Sequence, residues 1–233
     1  MLELTILDCG TTLDDVYNKY GHATDWIQNK LSEHEINYKI FKVYNDDFPP
    51  ITKNSPYIIT GSADSVYDNK EWMLRLESFI VTCREKKCFL LGICFGHQII
   101  AKAFGGKVIK NPLGWELGSN ILSLTEKGLQ SNLFKHCEKS FSVYESHQDI
   151  VSLLPYEAEA LAYNDMGNQS FSIDERIFAV QFHPEFNREI SQQYLDVRLG
   201  LGATSPNRVV EDSSHSNIII NNFYQLYRKE MHK

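Results

Sequence analysis

The sequence lacks an excess of positive charge, and this limits the partners that the protein can bind. Its 233 residues include 23 Lys and Arg against 30 Asp and Glu, which gives a formal net charge of −7. Contacts with nucleic-acid phosphates need clustered basic side chains. The composition therefore argues against a general nucleic-acid-binding protein. The hydrophobic fraction of 42% is ordinary for a soluble globular domain.

Long hydrophobic runs and paired cysteines are also absent. No stretch approaches the ~18 apolar residues of a membrane-spanning helix. Residues 1–8 have neither the basic nor the long apolar region of a signal peptide. The cysteines are odd in number and show no CxxC spacing, which favours free thiols in a reducing compartment; they are Cys9, Cys83, Cys88, Cys94 and Cys137. We therefore expect a cytoplasmic protein without membrane contacts.

Apolar and β-branched runs alternate with helix-type runs through the first half of the chain. Predicted strands occupy residues 2–7, 38–44, 57–60 and 88–93, and predicted helices occupy 24–33, 71–84 and 97–104. Residues 107–181 are rich in short strands. This order predicts a single α/β domain over residues 1–233, with a mixed, mostly parallel sheet covered by helices on both faces. We interpret residues 199–217 as a surface loop and 218–229 as a C-terminal helix.

Residues 92–96, Gly-Ile-Cys-Phe-Gly, have the G-x-nucleophile-x-G form of a nucleophile elbow. A nucleophile on a sharp strand-to-helix turn has a strained backbone, so small residues two positions before and after it provide room. The N-terminus of the following helix favours the thiolate of Cys94, and the backbone N–H of Phe95 is placed to bind an oxyanion. By itself the segment is equally compatible with a buried core cysteine, which is how we interpret the other four cysteines.

Residues 181–186, Gln-Phe-His-Pro-Glu-Phe, contain a candidate general base. His183 and Glu185 are two positions apart on an extended segment, so their side chains can project the same way. Glu185 can then orient the imidazole, and His183 can take the thiol proton and pass it to the leaving group. Considered alone, a His-Pro-Glu at a strand end is more often a surface turn.

Together the two segments resemble a known family. Residues 91–98 (Leu-Gly-Ile-Cys-Phe-Gly-His-Gln) and 180–185 (Val-Gln-Phe-His-Pro-Glu) are similar to the nucleophile and base motifs of class I, or triad-type, glutamine amidotransferases. The resemblance covers roughly residues 2–190. It implies a flavodoxin-like fold and a catalytic triad of Cys94, His183 and Glu185. It also implies that Gln98 contacts bound glutamine.

The resemblance further implies an oxyanion hole and a glutamine pocket. The backbone groups of Gly61, Ser62 and Phe95 form the oxyanion hole, although residues 61–63 read Gly-Ser-Ala where the family commonly has Gly-Gly-Pro. This form is closer to the branch similar to the amidotransferase domain of GMP synthetase and to γ-glutamyl peptidases. The pocket residues implied by the resemblance are Glu116, Gly118, Ser146, His147 and Gln148, and the last three hold the substrate's α-carboxylate through their backbone. In this family the residue at His147 is not the base.

The implied reaction is attack of the Cys94 thiolate on a γ-carboxamide, giving a γ-glutamyl thioester and ammonia, and then glutamate. The remaining histidines show no metal-ligand spacing, so we predict neither a metal nor a cofactor. No P-loop or ATP-grasp region is present to consume ammonia. We therefore expect a glutaminase-type hydrolase, free-standing or a subunit of a synthetase. Two alternatives stay open: a γ-glutamyl peptidase, and a non-catalytic binding or regulatory protein that retains the fold.

Overall fold

The apolar runs of the sequence form the strands of one central sheet. The computed structural model describes residues 2–213, 215 and 217–232, and within them nine strands share this sheet while two others pair separately. The strands are β1 (Leu2–Asp8), β2 (Ile36–Lys42), β3 (Pro56–Ile59), β4 (Phe89–Ile93), β5 (Lys107–Lys110), β6 (Glu116–Leu124), β7 (Ser140–His147), β8 (Asp149–Leu153), β9 (Glu159–Asn164), β10 (Gly167–Ile173) and β11 (Ile177–Val180). The helices are α1 (Asp14–Tyr20), α2 (Ala23–Asn29), α3 (Glu71–Glu85), α4 (Phe95–Ala103), α5 (Glu126–Gln130), α6 (Arg188–Gly200) and α7 (Asn217–Met231).

The strand order in the sheet is β2-β1-β3-β4-β11-β10-β9-β6-β7. The first five strands are parallel to one another, and every pair from β11 to β7 is antiparallel. The prediction of a single α/β domain with a mixed sheet is thus confirmed. Because the carboxyl ends of parallel strands meet at one edge, the loops after β1, β3, β4 and β11 lie together, which is where ligands bind in open α/β sheets.

Both faces of the parallel strands are buried under helices. Successive side chains of a strand point to opposite faces, and in β4 Leu91 packs in one core cluster with Phe223 of α7, whereas Leu90 packs in another with Leu76 of α3. Burial on both faces explains why β4 is a continuous apolar run in the sequence. No helix in the described part of the chain is long and apolar enough to span a membrane.

Helix α6 lies where the apolar pattern predicts no helix. It buries Ile190, Ser191 and Leu195, a stripe too thin to give a clear helical period. The sequence does mark the start of this helix with Asn187. The Asn187 side chain accepts a hydrogen bond from the Ile190 N–H at 2.8 Å and caps the helix N-terminus. The helix places Tyr194 and Arg198 one turn apart on the same face.

Residues 201–213 form neither helix nor strand and cross the sheet beside β6. The N–H of Trp115 donates to the Thr204 carbonyl at 3.3 Å, and the N–H of Ser119 donates to the Val209 carbonyl at 2.8 Å. Gly118 has φ +74°, and a Cβ there would lie 2.4 Å from the Val209 carbonyl oxygen, so the close approach requires glycine. Residues 214 and 216 of the predicted 199–217 loop lie outside the described residues.

The turn from β4 to α4 depends on two close backbone contacts. A Cβ added at Gly92 would lie 2.4 Å from the Gly96 carbonyl oxygen, and one added at Gly96 would lie 2.5 Å from the Ile59 carbonyl oxygen. Backbone atoms in a close-packed interior cannot yield without shifting the sheet. The predicted need for small residues on either side of Cys94 is therefore confirmed.

We expect Gly92→Ala to lower the free energy of unfolding by about 3 kcal/mol, because the new methyl overlaps a fixed backbone carbonyl. Urea denaturation measures this change. Gly200→Ala is the matched control, since nothing lies within 4 Å of its added Cβ, and its effect should stay within about 1 kcal/mol. Equal stability of the two variants would contradict the packing described for the turn.

Candidate active site

Cys94 lies at the carboxyl end of β4, where the chain turns into α4. Its backbone has φ +53° and ψ −100°, a region that non-glycine residues rarely adopt and that is concentrated at functional sites. Its N–H donates to the Val180 carbonyl at 2.9 Å, and its carbonyl accepts from the Gln98 N–H at 3.2 Å. The thiol is therefore held between β11 and the first turn of α4, with 6% of the residue exposed.

The pairing of β4 with β11 brings the two sequence motifs together. Ile93 is in register with Val180, so Cys94 and His183 both follow directly from the ends of adjacent parallel strands. Gly61, at the end of β3, lies against both: a Cβ there would be 3.4 Å from His183 Cε1 and 3.8 Å from Cys94 Cβ. Residues 89 positions apart in the sequence thus share one site.

Glu185 orients the His183 ring. The His183 Nδ1 lies 2.7 Å from Glu185 Oε1, and both residues are buried. The ring also stacks on Phe186, with centroids 4.1 Å apart and planes 10° from parallel. Because Nδ1 is engaged by the carboxylate, Nε2 is the nitrogen left to exchange a proton with the thiol.

The charge on His183 follows from its neighbours. Burial lowers the pKa of His183, but Glu185 and Cys94 outweigh burial and raise this pKa to about 10. The imidazole is accordingly protonated at neutral pH. The imidazolium and the Glu185 carboxylate 2.7 Å away carry opposite charges in a buried site, so each stabilises the other.

The residues predicted to form the oxyanion hole lie beside the thiol. Gly61 and Ser62 line the same pocket as Cys94, and Ser62 Oγ accepts from the Asp64 N–H at 3.2 Å, which shapes this turn. Phe95 is the first residue of α4, so its N–H has no acceptor within the helix. The arrangement allows N–H groups from two loops to converge near the sulfur.

The pocket around Cys94 has about 500 Å³ of empty space, open solvent included. Beyond the predicted residues, its walls come from the loop after β1, helix α2 and helix α6, to which the sequence analysis assigns no place in the site, and from Ala63 and Phe186 next to predicted residues. These additional lining residues are Gly10, Thr11, Thr12, Leu13, Ala23, Trp26, Ala63, Phe186, Tyr194 and Arg198. Apart from the Asn187 cap of α6, the sequence carries no signal for those on the loop, α2 and α6, because they reach the pocket only through tertiary packing.

His22, to which the sequence analysis assigns no role, holds the loop after β1 in the pocket wall. His22 Nε2 lies 3.0 Å from Asp8 Oδ2, and its Nδ1 lies 2.8 Å from Thr12 Oγ1. When Nε2 donates to the buried Asp8 carboxylate, Nδ1 of a neutral ring accepts the Thr12 hydroxyl proton. Thr12 then presents acceptor lone pairs to the pocket.

The Gln98 side chain lies behind the nucleophile on α4. Its Nε2 donates to the Asp149 carbonyl at 3.0 Å and to Gln181 Oε1 at 3.1 Å. It is 3% exposed and is not among the residues that line the pocket. The structure therefore brings Gln98 close to the motif around His183, and its contact with substrate stays a prediction.

Ser146 and His147 face opposite sides of β7. Ser146 lines the pocket with its Oγ buried, whereas His147 Nε2 lies 3.0 Å from Glu116 Oε2 and 3.1 Å from Glu145 Oε2. His147 Nδ1 donates to the Asp149 carbonyl at 3.0 Å. Although burial lowers the pKa of His147, the two carboxylates raise it well above its ordinary value.

This buried group of Glu116, Glu145 and His147 fixes the backbone beside Ser146. Burial and the neighbouring Glu116 raise the pKa of Glu145 to about 7, with His147 opposing them. The three ligand atoms lie within 4.8 Å of one another, a cluster that the linear spacing concealed because Glu116 is paired with His147 across β6 and β7. The separations of 3.0 and 3.1 Å from His147 Nε2 to the two carboxylates are those of a buried ion pair.

The last two predicted pocket residues, Gly118 and Gln148, have other contacts. Gly118 is covered by the backbone of Val209, and the carbonyl of Gln148 accepts from the Asn111 N–H at 2.8 Å. Neither is among the residues that line the pocket. The proposed contacts of both with a substrate therefore stay predictions.

A mixed α/β sheet with a thiol on the strand-to-helix turn and an imidazole facing it defines an α/β protein of the cysteine nucleophile-elbow type. The chain belongs to the class I glutamine amidotransferase family, whose family model matches residues 15–198. It is 32% identical to γ-glutamyl peptidase 4 of Arabidopsis thaliana over 194 residues, which cover 81% of this chain and 77% of that one. It is 33% identical to a glutamine amidotransferase-like protein of Schizosaccharomyces pombe over 216 residues, 84% of each chain.

Solved structures show the same fold. A glutamine amidotransferase from Thermotoga maritima aligns with a TM-score of 0.71 over 99% of this chain and 97% of its own, at 16% identity. At that identity the likeness establishes the fold alone.

Proposed function

We propose that the protein hydrolyses the γ-carboxamide of glutamine or a related γ-glutamyl amide through a thioester on Cys94. The observation that carries this proposal is the buried His183–Glu185 pair at 2.7 Å, held beside a thiol with strained backbone. A thiol activated by an adjacent base that a third group orients is the arrangement required for covalent catalysis.

In the first half of the reaction, the Cys94 thiolate attacks the amide carbon and the carbonyl oxygen becomes an oxyanion. The N–H groups at residues 61–62 and 95 stabilise this charge. His183 then gives its Nε2 proton to the departing nitrogen, so the C–N bond breaks and ammonia leaves. The product on the enzyme is a γ-glutamyl thioester.

In the second half, His183, now neutral, takes a proton from water. The resulting hydroxide attacks the thioester, the C–S bond breaks, and glutamate leaves. Throughout both halves, Glu185 keeps the ring in the orientation that presents Nε2 and stabilises its charged form. Free-standing hydrolysis and supply of ammonia to a partner synthetase both use these steps.

We expect Glu185→Gln to lower kcat by roughly 10²-fold or more, because an amide neither stabilises the imidazolium nor selects its tautomer. The same change should lower the pKa of His183 from about 10, since the carboxylate raises it. Steady-state kinetics and ring NMR titration measure the two effects. Glu189→Gln, an exposed position on α6, is the control and should change neither.

The raised pKa of His183 also predicts how stability depends on pH. A group whose folded pKa is about 10 and whose unfolded pKa is about 6.5 stabilises the fold fully below pH 6.5 and loses that effect as the pH rises through 10. The difference in unfolding free energy between wild type and Glu185→Gln should therefore shrink between pH 6.5 and 10. A difference that grows over this interval would contradict the assigned charge.

A second candidate, a γ-glutamyl peptidase, is favoured by the extent of the pocket. Thr11 and Thr12 line both the Cys94 pocket and a neighbouring open groove of about 1280 Å³ that includes Tyr17 and Lys42. This space can receive an amino-acid leaving group where glutamine needs room only for ammonia. The named relative is a γ-glutamyl peptidase.

The experiment that separates the candidates is turnover of glutamine against a panel of γ-glutamyl dipeptides by the purified protein. A higher kcat/KM for glutamine supports the glutaminase, and a higher value for a dipeptide supports the peptidase. No hydrolysis of any of these compounds would favour the non-catalytic alternative.

A further inference from the structure

Arg198 is a half-buried cation in the wall of the Cys94 pocket. Its Nε is buried without a hydrogen-bond acceptor, and its guanidinium forms no ion pair within the described residues. Two other arginines have counterions: Arg84 pairs with Asp174 at 2.7 Å and Arg176 pairs with Glu230 at 2.6 Å. A partly buried charge without a counterion is costly, so its position in a pocket indicates an anionic ligand.

The guanidinium is held in place by aromatic contacts. Its Cζ lies 4.8 Å from the centroid of the Trp115 ring, and the Trp115 N–H is fixed by the Thr204 carbonyl at 3.3 Å. A guanidinium stacked by its face keeps its edge N–H groups available for a carboxylate in its own plane.

The same helix links Arg198 to the catalytic ring. Tyr194, one turn earlier, stacks on Phe186 with centroids 4.8 Å apart, and Phe186 stacks on His183 at 4.1 Å. Burial lowers the pKa of Arg198, although Tyr194 and Cys94 oppose this effect. Because these stacked rings join α6 to His183, a ligand that pairs with Arg198 lies at a fixed position relative to the reacting groups.

We propose that Arg198 binds a carboxylate of the substrate and forms a charge-specific subsite of the pocket. The proposal rests on the proposed hydrolysis of γ-glutamyl amides, and it restricts the substrates to those that present a carboxylate here. Two carboxylates have the required chemistry: the α-carboxylate of the glutamyl group and the carboxylate of an amino-acid leaving group.

The test compares wild type with Arg198→Gln on three substrates. γ-Glutamylglycine has both carboxylates, γ-glutamyl methylamide lacks the leaving-group carboxylate, and the α-carboxamide of γ-glutamylglycine lacks the other. On γ-glutamylglycine we expect kcat/KM to fall about 10- to 100-fold, mainly through KM, because a charged hydrogen bond present before reaction is lost. On the analogue that lacks the carboxylate bound by Arg198, the substitution should lower kcat/KM less than about threefold. The analogue with the small effect therefore identifies which carboxylate Arg198 binds.

Two variants control for structural effects. Arg198→Lys keeps the charge and should recover part of the lost kcat/KM, whereas Arg188→Gln, on the exposed side of the same helix, should have no effect. An equal loss on all three substrates, or no loss on γ-glutamylglycine, would overturn the subsite.

A binding measurement keeps this proposal separate from the proposed function. If wild type hydrolyses neither glutamine nor any of the three compounds, the hydrolytic function fails, and calorimetry on Cys94→Ala still tests the subsite with γ-glutamylglycine as the probe. Arg198→Gln in that background should weaken binding about 10- to 100-fold. Unchanged affinity, or absence of binding to Cys94→Ala itself, counts against the subsite.

Discussion

Cys94→Ala is expected to reduce kcat for γ-glutamyl amide hydrolysis by at least about 10⁴-fold, because removing the nucleophile of a triad eliminates the covalent route. The substitution removes one sulfur from a turn whose backbone is fixed by Gly92 and Gly96, so the fold should be retained. Stopped-time assays of released glutamate at saturating substrate measure the loss, and thermal unfolding confirms that the protein is folded.

Cys88→Ala is the matched control for this prediction. Cys88 immediately precedes β4, is buried like Cys94, and its Sγ contacts the Thr52 carbonyl at 3.2 Å rather than the pocket. Its loss should leave kcat within about twofold of wild type, because no step uses that thiol. Residual activity of Cys94→Ala comparable to Cys88→Ala would remove Cys94 from the mechanism.

His183→Ala is expected to lower kcat by about 10³- to 10⁴-fold, since both halves of the reaction need proton transfer at Nε2. Added imidazole should restore part of the rate, because the deleted ring leaves space between Gly61 and Phe186. Titration of kcat against imidazole concentration measures the recovery.

His34→Gln is the control for the histidine prediction. His34 lies away from the pocket, where its Nε2 contacts Asn221 Oδ1 at 2.8 Å, and its replacement should leave kcat unchanged. If His183→Ala retained wild-type activity, or if His147 proved to be the group whose loss imidazole rescues, the assignment of the base would be wrong.

The sequence was sufficient to predict the local geometry of the elbow. A glycine two positions before and after Cys94 follows from steric limits that act within five residues, and the contacts at Gly92 and Gly96 agree with it. The mixed sheet was likewise predictable, because strand and helix periodicities are local. Helix α6 was not predictable, because it is buried by packing against α1, α2, β6 and β7, which are distant in sequence, and its own apolar stripe is thin.

The full pocket could not be predicted because its walls come from loops, helices and strand ends that are distant in sequence. Asp8 and His22 hold Thr12 in place, and the Trp115 ring packs against the Arg198 guanidinium. None of these contacts has a fixed spacing in the sequence. Only the strand order explains why the segments after β1, β3, β4 and β11 meet. The substrate contacts assigned to Gln98 and Gly118 stay predictions, because neither residue lines the pocket.

The central claim is that Cys94 forms a covalent bond with a γ-glutamyl group. The most direct measurement is peptide mass spectrometry after reaction with a diazo-ketone analogue of glutamine, which alkylates the attacking thiol. We expect one label per chain, on the peptide that contains Cys94, with activity lost in proportion to labelling and no label on Cys94→Ala. A label on another cysteine, or full activity in the labelled protein, would contradict it.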